Sequence, residues 1–447
     1  MIKLKKIFLM LVLVLSSSFP LVASLTIISA KSVLPVHNVD TRFDYATMQE
    51  AINAPETDNG DTILVDSGIY FEHMVVNKSV RLIGENKNTT IIDGNGTGIP
   101  VYISRSNVLI QNFTIQNSGP YYPSSGVNTY SRNNTIFNNI IKNNLIGIYL
   151  TGSHGNNLTS NYVSNSLFGI WLDHGSTNNV VIGNVVSSNT QFGLYAGLYS
   201  NNNTFADNTI LNNYYGICFS DTTNNTVVHN NFIGNIKQAD AYSSANKWDS
   251  GYEGNFWNNH SLMDSNADGI GDNDYKVAED NVDHYPLMGA FTGFKTPYGY
   301  DITTISNSTV SNFGFEIVHS QPPKATLSLN VHVENGSQGF CRVSIPKPLI
   351  NGSYEVMLDG WTITYPQVRE LPSLNETYKY FYIYYTYGEH RIDITGTTTI
   401  PEFPSSLTLI SLVIFSLVAV VLARKRTAKR YEGSSSQSIS FYRLKNV

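Results

Sequence analysis

The chain has 447 residues, two cysteines, and 28 Lys and Arg against 34 Asp and Glu, for a net charge of −6 with neutral histidine. That length leaves room for two or three domains. The acidic balance excludes a nucleic-acid partner, which would need a basic face, and two cysteines exclude a disulfide-dense scaffold.

Residues 1–30 have the layout of a secretory signal peptide: Lys3, Lys5 and Lys6, an apolar run from Ile7 to Leu15, then small residues around Ala23 and Ala30. The mature chain is therefore expected outside the membrane. Further on, one short phrase repeats. Asn134, Asn156, Asn179, Asn203 and Asn225 open it at intervals of 22, 23, 24 and 22 residues. A second asparagine follows five residues later, at Asn139, Asn161, Asn184, Asn208 and Asn230, and a glycine at Gly147, Gly169, Gly193 and Gly216. The unit N-x-[IVLF]-x-x-N-x-[IVF], a turn, then G-[IL]-x-[LAF], is too short for a helix pair or a propeller blade. It suits one turn of a parallel β-solenoid.

Each triplet between corners is expected to alternate, with its middle residue outward. The asparagines are expected to take left-handed corner conformations and to stack as amide ladders from coil to coil. The glycines are expected to allow the last bend of each coil. A looser copy starts at Asn107, with Asn112 and Asn117 in phase, and carries an inserted loop from Gly119 to Ser124.

Two segments carry a family resemblance. Between Tyr45 and Gly96 stand M-Q-E-A-I at 48–52, G-D-T-I-L-V at 60–65, G-I-Y at 68–70, K-S-V-R-L-I-G-E at 78–85 and T-I-I-D-G at 90–94. This stretch resembles the opening of pectin-lyase-like right-handed β-helices. That likeness implies a short helix capping the first coil, here with Asp44 as N-cap and running through Ala54. G-N-F-W at 254–257, D-S-N-A-D-G-I-G-D at 264–272 and H-Y-P-L-M at 284–288 resemble the closing segment of NosD-type proteins, a group associated with copper delivery to a reductase. The resemblance covers residues 38–290 and implies the fold far more than an activity, since one fold hosts lyases, hydrolases, epimerases and inert scaffolds.

Three clusters along this solenoid are candidates for chemistry. Tyr149, Trp171 and Tyr195 fall at the outward position of successive G-x-x-x triplets, with Ile146, Phe168, Phe192 and Tyr215 as a second column. Aromatic faces in a row stack against sugar rings, or against one another. Asp264, Asn266, Asp268 and Asp272 offer oxygen ligands at alternate positions around Gly269, as a structural Ca²⁺ requires. The same pattern also suits an Asp-rich turn held by side-chain-to-backbone bonds. His154, Asp173 and His174 are expected in corresponding turns of neighbouring coils, as an acid–base or metal group, though two histidines make a poor copper carrier.

Residues 291–400 lose the repeat and alternate instead, as in 325–333 and 378–387, with turns at Asn335-Gly336, Asn351-Gly352 and Asp359-Gly360. A small β-sandwich of Ig-like type is expected. Pro401-Glu402-Phe403-Pro404 resembles the sorting tail of archaeal surface proteins. Leu407 to Ala423 is long enough to span a bilayer, and Arg424, Lys425, Arg426, Lys429 and Arg430 follow it at once. That places an anchor at 401–426 and a cytoplasmic tail at 427–447. Without both ends, 18 Lys and Arg face 33 Asp and Glu, a net −15. Sequons such as Asn77, Asn157 and Asn224 fit a glycosylated exterior.

The fold class expected is thus all-β: a right-handed parallel β-helix over 31–290, a β-sandwich and one C-terminal transmembrane helix. Between Asn133 and Asn235 the only basic residue is Lys142, and the only acids are Asp173, Asp207 and Asp221. That set is thin for a lyase or a two-carboxylate hydrolase. The expectation is a non-catalytic surface protein that binds envelope glycan or surface-layer components, with a glycoside hydrolase or epimerase and a copper-associated accessory protein as the alternatives.

Overall fold

The computed structural model describes residues 34–398, apart from 262, 319–321, 335 and 373–376. The signal peptide at 1–30, the anchor at 401–426 and the tail at 427–447 lie outside the described residues. Among the described residues no helix is long and apolar enough to cross a membrane.

From Val36 to Trp257 the chain winds into a parallel β-solenoid of the right-handed type, with three faces and about nine turns. One coil shows the plan. Thr135–Phe137 lies in the first sheet, Ile140–Lys142 in the second and Ile146–Thr151 in the third, before the chain steps up to Asn157–Thr159. Val36–Asn38 opens the first sheet as an antiparallel partner of Phe43–Tyr45 and Thr62–Val65, and from Thr62 on the strands pair in parallel with their equivalents in the neighbouring coils, as Ile136 with Leu158 and Tyr149 with Trp171.

On two of the three faces the expected alternation is inverted. In the repeated coils the three-residue strands of these two faces turn their middle residue inward. Ile136, Leu158, Val181 and Phe205 stack inside the first sheet, and Ile141, Val163, Val186 and Ile210 inside the second, all fully buried. The third-sheet strands point a middle residue outward, both in three-residue strands such as Met74–Val76 and in the longer ones, where it is flanked by inward pairs such as Ile148 with Leu150.

The asparagine doublets divide the labour expected of one residue. The left-handed corner is the residue before each ladder position: Asn133, Asn138, Asn143, Asn178, Asn202 and Asp207 have φ between 54° and 58°. The ladder residue follows, in ordinary conformation. The early copy is correspondingly one residue out of phase. Asn107, Asn112 and Asn117 are left-handed corners, and Val108, Phe113 and Ser118 stand at the ladder positions, donating their backbone N–H to Asn134, Asn139 and Asn144 at 3.0 Å.

The repeated glycines are strand residues, with no positive φ. A Cβ on Gly169 would stand 2.4 Å from the Gly193 carbonyl oxygen, and one on Gly147 would stand 2.5 Å from that of Gly169. They are needed for close approach between coils, not for a bend.

Both ends of the core are closed. Helix α1, Met48–Asn53, buries Met48, Ala51 and Ile52 over the first coil. Its N-cap is Thr47 and not Asp44, because the Thr47 hydroxyl accepts from Glu50 N, while Asp44 belongs to a strand and binds His37. Glu72 adds a carboxylate at the helix start, accepting from Met48 N and Gln49 N at 3.1 and 3.0 Å. At the far end Trp257 stacks between Phe232 and Tyr275 at 4.3 and 4.1 Å.

Beyond the hairpin of Tyr275–Ala278 and Asn281–Asp283, two five-stranded antiparallel sheets share one core that includes Leu327, Leu329, Val343, Phe381, Ile383 and Ile392. Asp359-Gly360 forms the expected two-residue turn, with φ of 52° and 81°. Asn351-Gly352 does not turn. It opens the strand Asn351–Leu358, where the pairing register shifts. This unit packs on the last coils through Phe291, whose N–H donates to Asn231 Oδ1 and whose carbonyl accepts from Asn231 Nδ2.

Candidate functional site

The third sheet sets side chains in two outward rows. Register places Asn128, Tyr149, Trp171, Tyr195, Cys218 and Asp240 on successive rungs, about 4.8 Å apart. Beside them run Ile146, Phe168, Phe192, Tyr215 and Lys237. The rings touch along and across the rows. Phe168 stacks on Trp171 at 4.4 Å, Phe192 on Phe168 at 5.5 Å and on Tyr215 at 5.0 Å, while Trp171 meets Tyr195 edge-on at 5.6 Å. Trp171, Tyr195, Phe168 and Phe192 are half-buried, which leaves part of each ring to solvent.

The first member of the expected row is not exposed. Tyr149 is 1% accessible, because the inserted loop folds back and lays Tyr122 over it. Tyr122 also lies 6.0 Å from the Trp171 ring. The Tyr149 hydroxyl donates to Asp173 Oδ2 at 3.4 Å and accepts from Tyr122 at 2.8 Å. Burial first, then these two neighbours, raise the Tyr149 phenol well above its ordinary pKa. Tyr122 was the residue missed from sequence. Its only signal was the length of the insert, which does not say where a loop lands.

His154, Asp173 and His174 do not converge. His154 is in register with Thr177 and bonds its hydroxyl at 2.8 Å, whereas Asp173 pairs with Thr151, three positions away. Asp173 and its neighbour His174 form a pair of their own at 2.9 Å. At the far end of the rows, Asp240 takes Lys237 and Tyr242 as partners, and burial pushes the Cys218 thiol up to about 12.

The Asp-rich loop is held by its own amides. Asp264 accepts from Asp268 N and Gly269 N at 3.0 and 2.9 Å, Asp268 from Ile270 N at 2.8 Å, and Asp272 from Ser265 N at 2.8 Å. Asn266 Oδ1 accepts from Asp268 N at 3.1 Å. The loop's Ile270 packs into a cluster with Tyr382 and Phe340 of the two-sheet unit.

The model of one protein family, described as periplasmic copper-binding protein (NosD), matches residues 37–262. The chain belongs to the NosD family. No curated protein matches this sequence. Among solved structures it is similar to the A-module of the mannuronan C-5 epimerase AlgE6 of Azotobacter vinelandii, at 17% identity over 44% of this chain and 74% of that one, with a TM-score of 0.28. It is also similar to ORF18 of Geobacillus virus E2, at 12% identity over 64% and 71% of the two chains, with a TM-score of 0.30. A third is the tailspike gp49 of Acinetobacter baumannii bacteriophage Fri1, a capsular polysaccharide depolymerase, at 10% identity over 79% and 82%, with a TM-score of 0.25. At these scores the three likenesses carry no argument about chemistry.

The described side chains of this NosD-family member offer no set of donors that fits copper. Among the described residues no three His, Cys, Asp or Glu side chains are grouped to hold a metal ion. The soft donors Cys218 and Cys341 are buried in different units, with thiols pushed up to about 12, and His154 and His174 are each engaged elsewhere.

Proposed function

We propose that this NosD-family protein is a non-catalytic surface solenoid that binds a cell-envelope glycan along the outer face of its third sheet. The observation that carries this is the double row of half-buried rings from Phe168 to Tyr215, held at coil spacing on one sheet with the exposed Tyr122 of the loop at its near end. Such a surface presents flat apolar faces at a fixed period, which suits a polymer of pyranose rings.

The carboxylates favour binding over hydrolysis. On the strands of this face from Asn128 to Asp240 only Asp173 and Asp240 are acids. They stand three rungs apart, about 14 Å at the spacing of parallel strands, beyond the separation of about 5–9.5 Å that a pair of catalytic carboxyl groups needs. The periplasmic description of the family accords with an outside location. In this reading Leu407 to Ala423 anchors the protein, with the following arginines and lysines kept inside.

A glycan array probed with the purified protein tests the proposal. Trp171→Ala is expected to weaken retention at least tenfold, while changing the melting temperature by no more than a few degrees. Loss of stability with unchanged retention would assign the rings to packing alone. Release of oligosaccharides from an envelope polymer would replace the binder with an enzyme.

A further inference from the structure

Beside its rings the third sheet holds four buried polar atoms without a partner: both carboxamide atoms of Asn128, Nε1 of Trp171 and Oδ1 of Asp173. Asn128 is 1% exposed and Asp173 is 3% exposed. The three residues form one patch. Asn128, Tyr149 and Trp171 are consecutive in register, and Asp173 lies two residues beyond Trp171 on the same outward side, bonded through Oδ2 to the Tyr149 hydroxyl. Tyr122 closes the patch from the loop side.

Buried polar groups are ordinarily satisfied, and a set of unpaired ones on an outward face marks a place where something else supplies the bonds. The unpaired atoms are two donors, Asn128 Nδ2 and Trp171 Nε1, and two acceptors, Asn128 Oδ1 and Asp173 Oδ1. Vicinal hydroxyls, each a donor and an acceptor, complement that set. A carboxylate does not, because it would set a second acceptor against Asp173. The only Lys or Arg on the strands of this face from Asn128 to Asp240 is Lys237, which is taken by Asp240 and lies over the Tyr215 ring. Arg132, past the corner, acts on His154.

We infer that Asn128, Trp171 and Asp173 form a subsite that is reached when Tyr122 lifts off Tyr149, and that it selects a neutral pyranose and rejects a uronate. The inference rests on the glycan-binding reading and names the class of glycan. Paired oligosaccharides of equal length and linkage, one neutral and one built of uronic acid, are titrated against the wild-type protein, Asn128→Ala, Asp173→Asn and Trp171→Ala, with melting curves as the folding control.

The expected result is at least tenfold tighter binding of the neutral member, a loss of at least tenfold in that binding for Asn128→Ala, and a narrowed neutral-to-uronate ratio for Asp173→Asn. The last variant is isosteric and carries the test if Asn128→Ala does not fold. Equal or tighter binding of the uronate by the wild-type protein overturns the inference. So does wild-type selectivity in both Asn128→Ala and Asp173→Asn. In either case a loss of binding in Trp171→Ala would leave the glycan reading standing. Failure to bind either member would remove both.

Discussion

Each ladder asparagine does three things at once, and Asn184 shows them. Its Oδ1 accepts from Asn161 N and Nδ2 at 2.9 and 3.1 Å, its own N and Nδ2 donate to Asn208 Oδ1 at 2.9 and 3.0 Å, and Nδ2 also reaches the Leu158 carbonyl at 2.8 Å. Alanine there strands several buried groups, each costing about 1–3 kcal/mol. Asn184→Ala is therefore expected to lower stability by about 3 kcal/mol or more in thermal or denaturant unfolding. Asn178, one position before a ladder residue, is a left-handed corner at φ 56°. Asn178→Gly is expected to fall within about 0.5 kcal/mol of wild type, since glycine adopts that conformation freely. The period was legible in the sequence, but the phase was not, because one letter serves both jobs in doublets such as Asn133-Asn134 and Asn138-Asn139. A third ladder, Asn189, Asn213 and Asn235, also went unread. It continues the five-residue spacing, yet Ser166 interrupts it one coil earlier.

The face a strand lies on decides which of its residues reach solvent. In the repeated coils the three-residue strands of the first two sheets turn a single middle residue inward, while the third-sheet strands, three to six residues long, set their middle residue outward with a covered neighbour on each side. The aromatic rows were legible because they recur at the coil period. The lid over Tyr149 was not, since it depends on where an insert packs. The Asp-rich loop teaches the same lesson. Its D-x-N-x-D-G pattern suits a cation, but the oxygens accept from the loop's own N–H groups. Chelation by EDTA is accordingly expected to leave the melting temperature unchanged. Asp264→Ala, which orphans Asp268 N and Gly269 N, is expected to lower it by several degrees, with differential scanning calorimetry as the check. A rise in melting temperature on adding Ca²⁺ would restore the ion to this loop.

At the scale of the molecule, a chain of charges crosses the junction between solenoid and two-sheet unit. Asp207 lies 3.5 Å from His229 Nδ1, Glu253 accepts from His229 Nε2 at 2.9 Å, and the fully buried Arg342 donates to Glu253 at 2.5 Å, while the His229 ring stacks on Phe291 at 4.1 Å. Burial would push the His229 pKa down, but the bonds to Asp207 and Glu253 outweigh it and hold the pKa up at about 9. A raised histidine contributes stability that is whole below its unfolded value of about 6.5 and is lost as pH climbs through about 9. The melting temperature is thus expected to fall between pH 7 and pH 10, and His229→Gln to flatten that fall. The change from solenoid to further β sheets was legible from the end of the repeat. This junction was not, because Glu253 and Arg342 are 89 residues apart.

The ladders also have a direction. Each asparagine-bearing coil hands its N–H groups forward and receives at its oxygen, and one column ends where Asn255 N, Trp257 Nε1 and Tyr285 N donate to Asp283, a residue that only needs to accept. Among the coils that carry asparagine at both of the first two corners, the top of one therefore offers at those columns the same donors and acceptors that the bottom of the next requires. Duplicating a cassette such as 156–178 is thus expected to keep these columns continuous and to give a folded, longer solenoid, which a single cooperative melt would show, as long as the terminating carboxylate stays in place.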